Sequence, residues 1–224
     1  MSTLNDLEGP APSAARVATR FPAAQHAEAT TYFNAYAAEM ARAAGSVPGT
    51  AIEQAAEILT DAYTYGACVF SCGNGGSASI SNHLQCDHVK GVGNGTDLAP
   101  RVMSLAANIE TITAIANDQG YEDIFVHQLR SQSRPGDVLV VVSSSGRSAN
   151  IVRALTWARD NGLRTIALTG FDGGDAKVLA EVAIHVDCAN YGVVEDLHQA
   201  IMHSLAQFIR QSRMTADDVS ASVF

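Results

Sequence analysis

Cysteine is scarce in this sequence: Cys68, Cys72, Cys86 and Cys188 are the four present among 224 residues, and no C-x-x-C pair occurs. A disulfide framework is excluded, and the four read as reduced thiols of a cytoplasmic protein. Basic side chains are also short, 14 Lys and Arg against 23 Asp and Glu, so the formal charge is −9. No broad basic face can then neutralise a nucleic-acid backbone, and nucleic-acid partners are excluded. A small anion is not, because local amides and hydroxyls can hold one against the overall sign. No apolar run reaches membrane-spanning length, and the opening "MSTLNDLEGPAPSAARVATRFPA" lacks the apolar core of a signal peptide. Neither a membrane partner nor an export signal is expected. What is present, 47% hydrophobic against 17% charged residues, suffices for one domain with a sizeable core.

Residues 1–24 are rich in Ala, Ser and Pro without a period and read as a flexible extension; 25–213 form the domain, and 214–224 a tail. The segment 26–44 is alanine-rich and helical, with Tyr32, Tyr36 and Met40 recurring every fourth residue. After "GSVPG", Thr50 is placed to cap a second helix. From there short apolar runs alternate with helical ones. "ACVFSC", "RVMSL", "DVLVVVSSSG", "RTIALTG" and "VAIHVDC" read as strands; "SASISNHLQCDHVKG", "RSANIVRALTWARDNG" and "VVEDLHQAIMHSLAQFIRQSR" read as helices. Strands that are nearly all apolar and alternate with helices predict a mostly parallel central sheet with helices on both faces, an α/β three-layer sandwich. Ligands in such folds sit at the carboxyl ends of strands, where two glycine- and serine-rich loops fall.

The first loop, "SCGNGGSAS", follows a strand and opens a helix. It is neither a Walker A loop nor a G-x-G-x-x-G fingerprint, since no G-K-[ST] follows and Gly73, Gly75 and Gly76 are in the wrong frame. Alone it fits an ordinary turn as well as an anion cradle. The second, "VVVSSSGRSAN", presents Ser143, Ser144, Ser145 and Ser148 around one glycine, more hydroxyls than helix capping needs. Short hydroxyls with amides at a helix N-terminus match a phosphate ester. Two further groups carry metal or proton chemistry. His83 and Asp87 share one face of the helix after the first loop, a half-site for a divalent ion or simply an exposed polar face. The closing helix adds Glu195, His198 and His203. Glu195 and His203 are about 12 Å apart along a straight helix, so whether both reach one ion stays open at this point.

"S-x-S-G-x-S" after a strand, with "CGNGGSA" upstream and a late "E-D-L-H-x4-H", resembles the SIS (sugar isomerase) domain family, and within it the phosphoheptose isomerases. The resemblance runs from about residue 26 to 212 and includes "AIANDQGYEDIF" and "RPGDVLVVVSSSGRS". It implies a SIS, flavodoxin-like fold and an aldose–ketose isomerisation through an enediol, most simply of sedoheptulose 7-phosphate to D-glycero-D-manno-heptose 7-phosphate. It further implies phosphate binding by Ser143, Ser144, Ser145 and Ser148, and substrate contacts from Asn74, Gly75, Ser77, Asp118 and Glu195. Asp87 and His203 would move the proton. One zinc or similar divalent ion per site would sit among His83, Asp87, Glu195 and His203, and the chain would form a homotetramer with shared sites. His198 is read as a packing residue. The family usually has Glu at Asp87, Gln at Glu195 and Asn at Arg147, departures that leave the particular sugar open. The rival readings are an isomerase of another seven- or eight-carbon phosphosugar and a non-catalytic phosphosugar sensor or adaptor. Loss of the acid and base residues would mark the sensor; here they are altered, not lost.

Overall fold

The computed structural model describes residues 18–224; residues 1–17 of the expected extension lie outside them. Five parallel strands form the sheet: β1 (Cys68–Gly73), β2 (Arg101–Ser104), β3 (Val138–Ser143), β4 (Arg164–Thr169) and β5 (Val182–His185), in the order β2-β1-β3-β4-β5. The three inner strands are almost continuously buried, as their Val, Ile and Leu content predicts for a sheet covered on both faces. Side chains alternate between two cores. Val69, Val138, Val140 and Val142 face one, with Ile166 and Ile184. Phe70, Leu139, Val141 and Ala167 face the other.

The first core is closed by α1 (Ala29–Ala44), α2 (Gly49–Tyr65), α3 (Gly76–Cys86) and α8 (Tyr191–Gln211). The second is closed by α4 (Ile109–Asp118), α5 (Val126–Gln132), α6 (Ala149–Asp160) and α7 (Gly174–Leu179). A last short helix, α9 (Ala216–Ala221), lies in the tail. The expected cap at Thr50 is displaced: Pro48 holds the cap position and the helix starts at Gly49, because proline presets the extended backbone there. Residues at the end of the expected extension are tied to the domain. Ala189 N donates to Thr19 O (2.8 Å) and Asn190 Nδ2 to Phe21 O (3.0 Å).

One departure shapes the site. The helix read through "SASISNHLQCDHVKG" is α-helical only to Cys86; Asp87–Val92 form a π-helical turn. That turn buries His88 and Val92, and His88 Nδ1 hydrogen-bonds Tyr63 Oη at 2.6 Å. Burial holds His88 neutral, its pKa lowered to about 4. π turns are rare and cluster at functional sites; this one begins at Asp87.

Candidate active site

β1 and β3 are neighbours whose chains leave toward opposite ends of the sheet, so the crevice between their carboxyl ends is the topological switch point. Both loops meet there. Asn74 and Asn150 exchange side-chain hydrogen bonds, each amide nitrogen donating to the other's oxygen at 2.9 Å, and Tyr121 Oη donates to Asn74 Oδ1 at 2.9 Å. Gly75 takes φ +55° and ψ −123°, a backbone open only to glycine. At Gly76 a Cβ would stand 2.5 Å from Glu195 Oε2, so glycine is what lets α3 and α8 approach.

The loops enclose a cavity of about 170 Å³ lined by the serine loop, Asn74, Ser77, Tyr191 and Glu195. Ser143 Oγ accepts from Gly146 N at 3.2 Å and shapes the turn. Ser144 Oγ is buried with no hydrogen-bond partner among the described residues. Ser148 occupies the cap position of α6, yet its side chain makes no cap bond. Two hydroxyls are therefore held at the cavity without an internal partner, beside the amides of a helix N-terminus. Glu195 is the one ionisable carboxylate there, and burial raises its pKa, Asp196 adding to the effect.

α3 and α8 run side by side in the same direction, with contacts at Gly76–Glu195, His83–Gln199 and Asp87–His203. This pairing builds the second part of the site. His83 Nε2 lies 3.1 Å from Asp87 Oδ1, His203 Nε2 lies 3.2 Å from Asp87 Oδ2, and the two rings meet edge-on with centroids 4.9 Å apart. One ligand atom from each of His83, Asp87 and His203 falls within 4.8 Å of the others. Two imidazoles and a carboxylate, all reachable by solvent, are a donor set that fits a divalent ion with positions left open.

Glu195 does not join that set. Eight residues of α8 separate it from His203, the helix stays regular from Tyr191, and its carboxylate lies over Gly76 at the cavity instead. Asp118 is exposed at the end of α4, accepts from Asn117 Nδ2 (2.8 Å), and does not line the cavity; Tyr121, in the turn that follows, reaches Asn74 in its place. Arg147 pairs with Asp172 on the surface. His198 is fully buried, as a packing residue would be, with its pKa lowered to about 4.

Four contacts escaped the sequence reading: Asn150, Tyr121, Tyr191 and Gln199. Gln199 had a legible signal, since Glu195, Gln199 and His203 recur at four-residue spacing and form one stripe of α8. Tyr191 opens the same stripe, four residues before Glu195, whereas Asn150 and Tyr121 join Asn74 across 47 or more residues, for which no local pattern exists.

Comparison with known proteins agrees with this fold. A family model described as SIS domain matches residues 31–170. The phosphoheptose isomerase of Akkermansia muciniphila is 41% identical over 162 residues, 71% of this chain and 84% of that protein. That of Colwellia psychrerythraea is 37% identical over 170 residues, 75% and 86% of the two chains. A solved phosphoheptose isomerase from Neisseria gonorrhoeae superposes with a TM-score of 0.74 at 30% identity, covering 82% of this chain and all of that one. With a five-stranded parallel sheet, a serine loop at its switch point and a cluster of two histidines and an aspartate beside it, the chain belongs to the SIS-domain proteins and, among them, to the phosphoheptose isomerase family of aldose–ketose isomerases.

Proposed function

We propose that this protein interconverts sedoheptulose 7-phosphate and D-glycero-D-manno-heptose 7-phosphate in the cytoplasm. The observation that carries the reading is the separation of the two half-sites along a pair of parallel helices. Ser77 and Glu195 stand at the cavity; His83 and His203 follow six residues on along α3 and eight along α8. At 1.5 Å of rise per residue these are steps of about 9 and 12 Å. In a seven-carbon 7-phosphate, seven bonds join C2 to phosphorus. With bonds of about 1.5 Å the extended chain spans roughly 9 Å. A phosphate among Ser143, Ser144, Ser145 and Ser148, with Asn74 and Ser77 beside it, then delivers C1 and C2 to the cluster.

There the chemistry needs a base at the C–H beside the carbonyl and a partner that returns the proton to the adjacent carbon. Asp87 and His203, in contact through Oδ2 and Nε2, supply the pair: the carboxylate takes the proton as the enediol forms, and the imidazole beside it receives that proton and returns it to the adjacent carbon. Remote phosphate binding holds the reacting carbons in place. His83, Asp87 and His203 would hold a zinc or similar ion, whose contribution when bound is to polarise the carbonyl and hydroxyl oxygens. A homotetramer with shared sites fits the exposed apolar surface: α1 fully buries only Ala43 and leaves Phe33 68% exposed, and Tyr121 and Tyr191 stand exposed beside the loops.

The test is incubation with sedoheptulose 7-phosphate in D2O, followed by NMR, with five- and six-carbon phosphosugars as controls and the mass in solution measured by light scattering. Aldoheptose carrying deuterium next to its carbonyl is expected, from a particle of four chains. Protein that binds the phosphosugar yet exchanges no deuterium would overturn the isomerase reading in favour of a sensor.

A further inference from the structure

Gln199 sits between the two imidazoles of the cluster. Its Nε2 is 3.1 Å from His83 Nδ1 and 2.9 Å from His203 Nε2. A primary amide nitrogen carries two hydrogens, and both ring nitrogens are within reach, so the amide spans the gap between α3 and α8. We propose that Gln199 is a positioning residue of this site: it fixes the orientation and tautomer of His83 and His203 against Asp87. The inference rests on the proposed role of the cluster, but its logic is one of proton inventory.

With the amide donating, His83 Nδ1 is an acceptor. Its ring proton is then on Nε2, directed at Asp87 Oδ1 3.1 Å away. His203 Nε2, also accepting from the amide, presents no proton to Asp87 Oδ2 at 3.2 Å, so a proton or cation is what those two atoms can share. Rotating the amide by 180° reverses the arrangement. Its oxygen then accepts from His83 Nδ1–H, which leaves the Nε2 lone pair facing Asp87, the tautomer that ion binding through Nε2 demands; the same oxygen also meets His203 Nε2, and those two acceptors need a proton or the ion between them. One side chain therefore serves both states by turning over, and a hydrocarbon of equal length serves neither. Gln199 is only partly buried and α8 does not depend on its amide, so replacing it leaves the fold in place.

The experiment compares wild type, Gln199→Leu and Gln199→Glu. Imidazole ¹⁵N–¹H correlation spectra of the metal-free proteins at pH 8 report the tautomers directly. His83 is expected as the Nε2–H form in wild type, as a mixture in Gln199→Leu, and as the Nδ1–H form in Gln199→Glu, whose carboxylate can only accept. Cobalt(II) titration, read by visible absorption against a competing chelator, should show Gln199→Leu binding about 10- to 100-fold more weakly, the usual cost of losing such an outer partner. Gln199→Glu should bind at least as tightly as wild type. Turnover should fall in Gln199→Leu through kcat, with KM for the phosphosugar unchanged because the serine loop is untouched. The same His83 tautomer in all three proteins, together with unchanged kcat in Gln199→Leu, would overturn the proposal. A wild type inactive on sedoheptulose 7-phosphate but showing the tautomer series would leave it standing and remove the substrate assignment instead.

Discussion

Asp87 is the residue on which the site turns. Its two oxygens face two different imidazoles, so it is the one charged group in the cluster that touches both, as Gln199 is the neutral one. An aspartate is one methylene shorter than the family's glutamate, which sets a proton acceptor back by roughly 1.5 Å unless the backbone compensates. The π turn that opens at Asp87 is a candidate for that compensation, because it alters the helix path where the shorter side chain begins. Two substitutions separate the possibilities. Asp87→Asn keeps the shape but cannot accept a proton, and turnover should fall by about two to four orders of magnitude with phosphosugar binding retained. Asp87→Glu restores the family's length on a backbone adapted to the shorter residue, and should lower kcat instead of raising it. A Glu variant faster than wild type would show that the π turn does not compensate. Steady-state kinetics with isotope exchange read both.

Among the elements, the serine loop and the start of α6 separate a structural hydroxyl from one held for a ligand. Ser143 is used internally by Gly146, whereas Ser144 is buried without a partner. Removing an unsatisfied buried hydroxyl relieves a desolvation cost, so Ser144→Ala should unfold at an unchanged or higher temperature. Removing a hydrogen bond to a charged phosphate costs about 1.5–3 kcal/mol, so KM should rise roughly 10- to 100-fold. A destabilised variant with normal KM would make Ser144 a packing residue. Sequence reading served such elements well where the signal was local: five apolar runs became five strands, and both loops fell at strand ends. The serines and Asn74 line one cavity, and His83, Asp87 and His203 form one cluster, each residue standing within a short motif that the sequence displays. Sequence reading failed where geometry comes from pairing. A π turn continues the apolar spacing of an α-helix closely enough that "CDHVKGV" reads the same either way. That α3 and α8 run parallel and in step, which sends Glu195 to the cavity and leaves His203 with Asp87, depends on contacts 116 residues apart.

For the molecule as a whole, the first core contains a pH sensitivity that the site chemistry does not require. His88, in the turn between α3 and β2, and His198, on α8, are both fully buried, and burial lowers both pKa values to about 4 from the usual 6.5. Above pH 6.5 neither the folded nor the unfolded chain protonates them, and their contribution is constant. Between 6.5 and 4 the unfolded chain takes up protons that the folded chain refuses, so stability falls as the pH falls. The slope is about 1.4 kcal/mol per pH unit for each histidine, or about 2 kcal/mol each by pH 5. Below about pH 4 the folded form protonates as well and the loss levels off. Glu39, Asp172 and Glu181, lowered by hydrogen bonds from Arg42, Arg147 and Arg164, act in the same sense but only beneath the ordinary carboxylate range. Half-buried His185 adds to the slope, and Glu195, raised by burial, opposes it, so a variant is needed to isolate one histidine. Urea unfolding of chelator-treated protein at pH 7 and pH 5 supplies the measurement. Wild type should lose several kcal/mol over that interval, and His198→Phe, of similar volume and without a titrating group, should lose about 2 kcal/mol less. Equal losses in the two proteins would mean that His198 accepts its proton in the folded state, and that acid acts on this fold elsewhere.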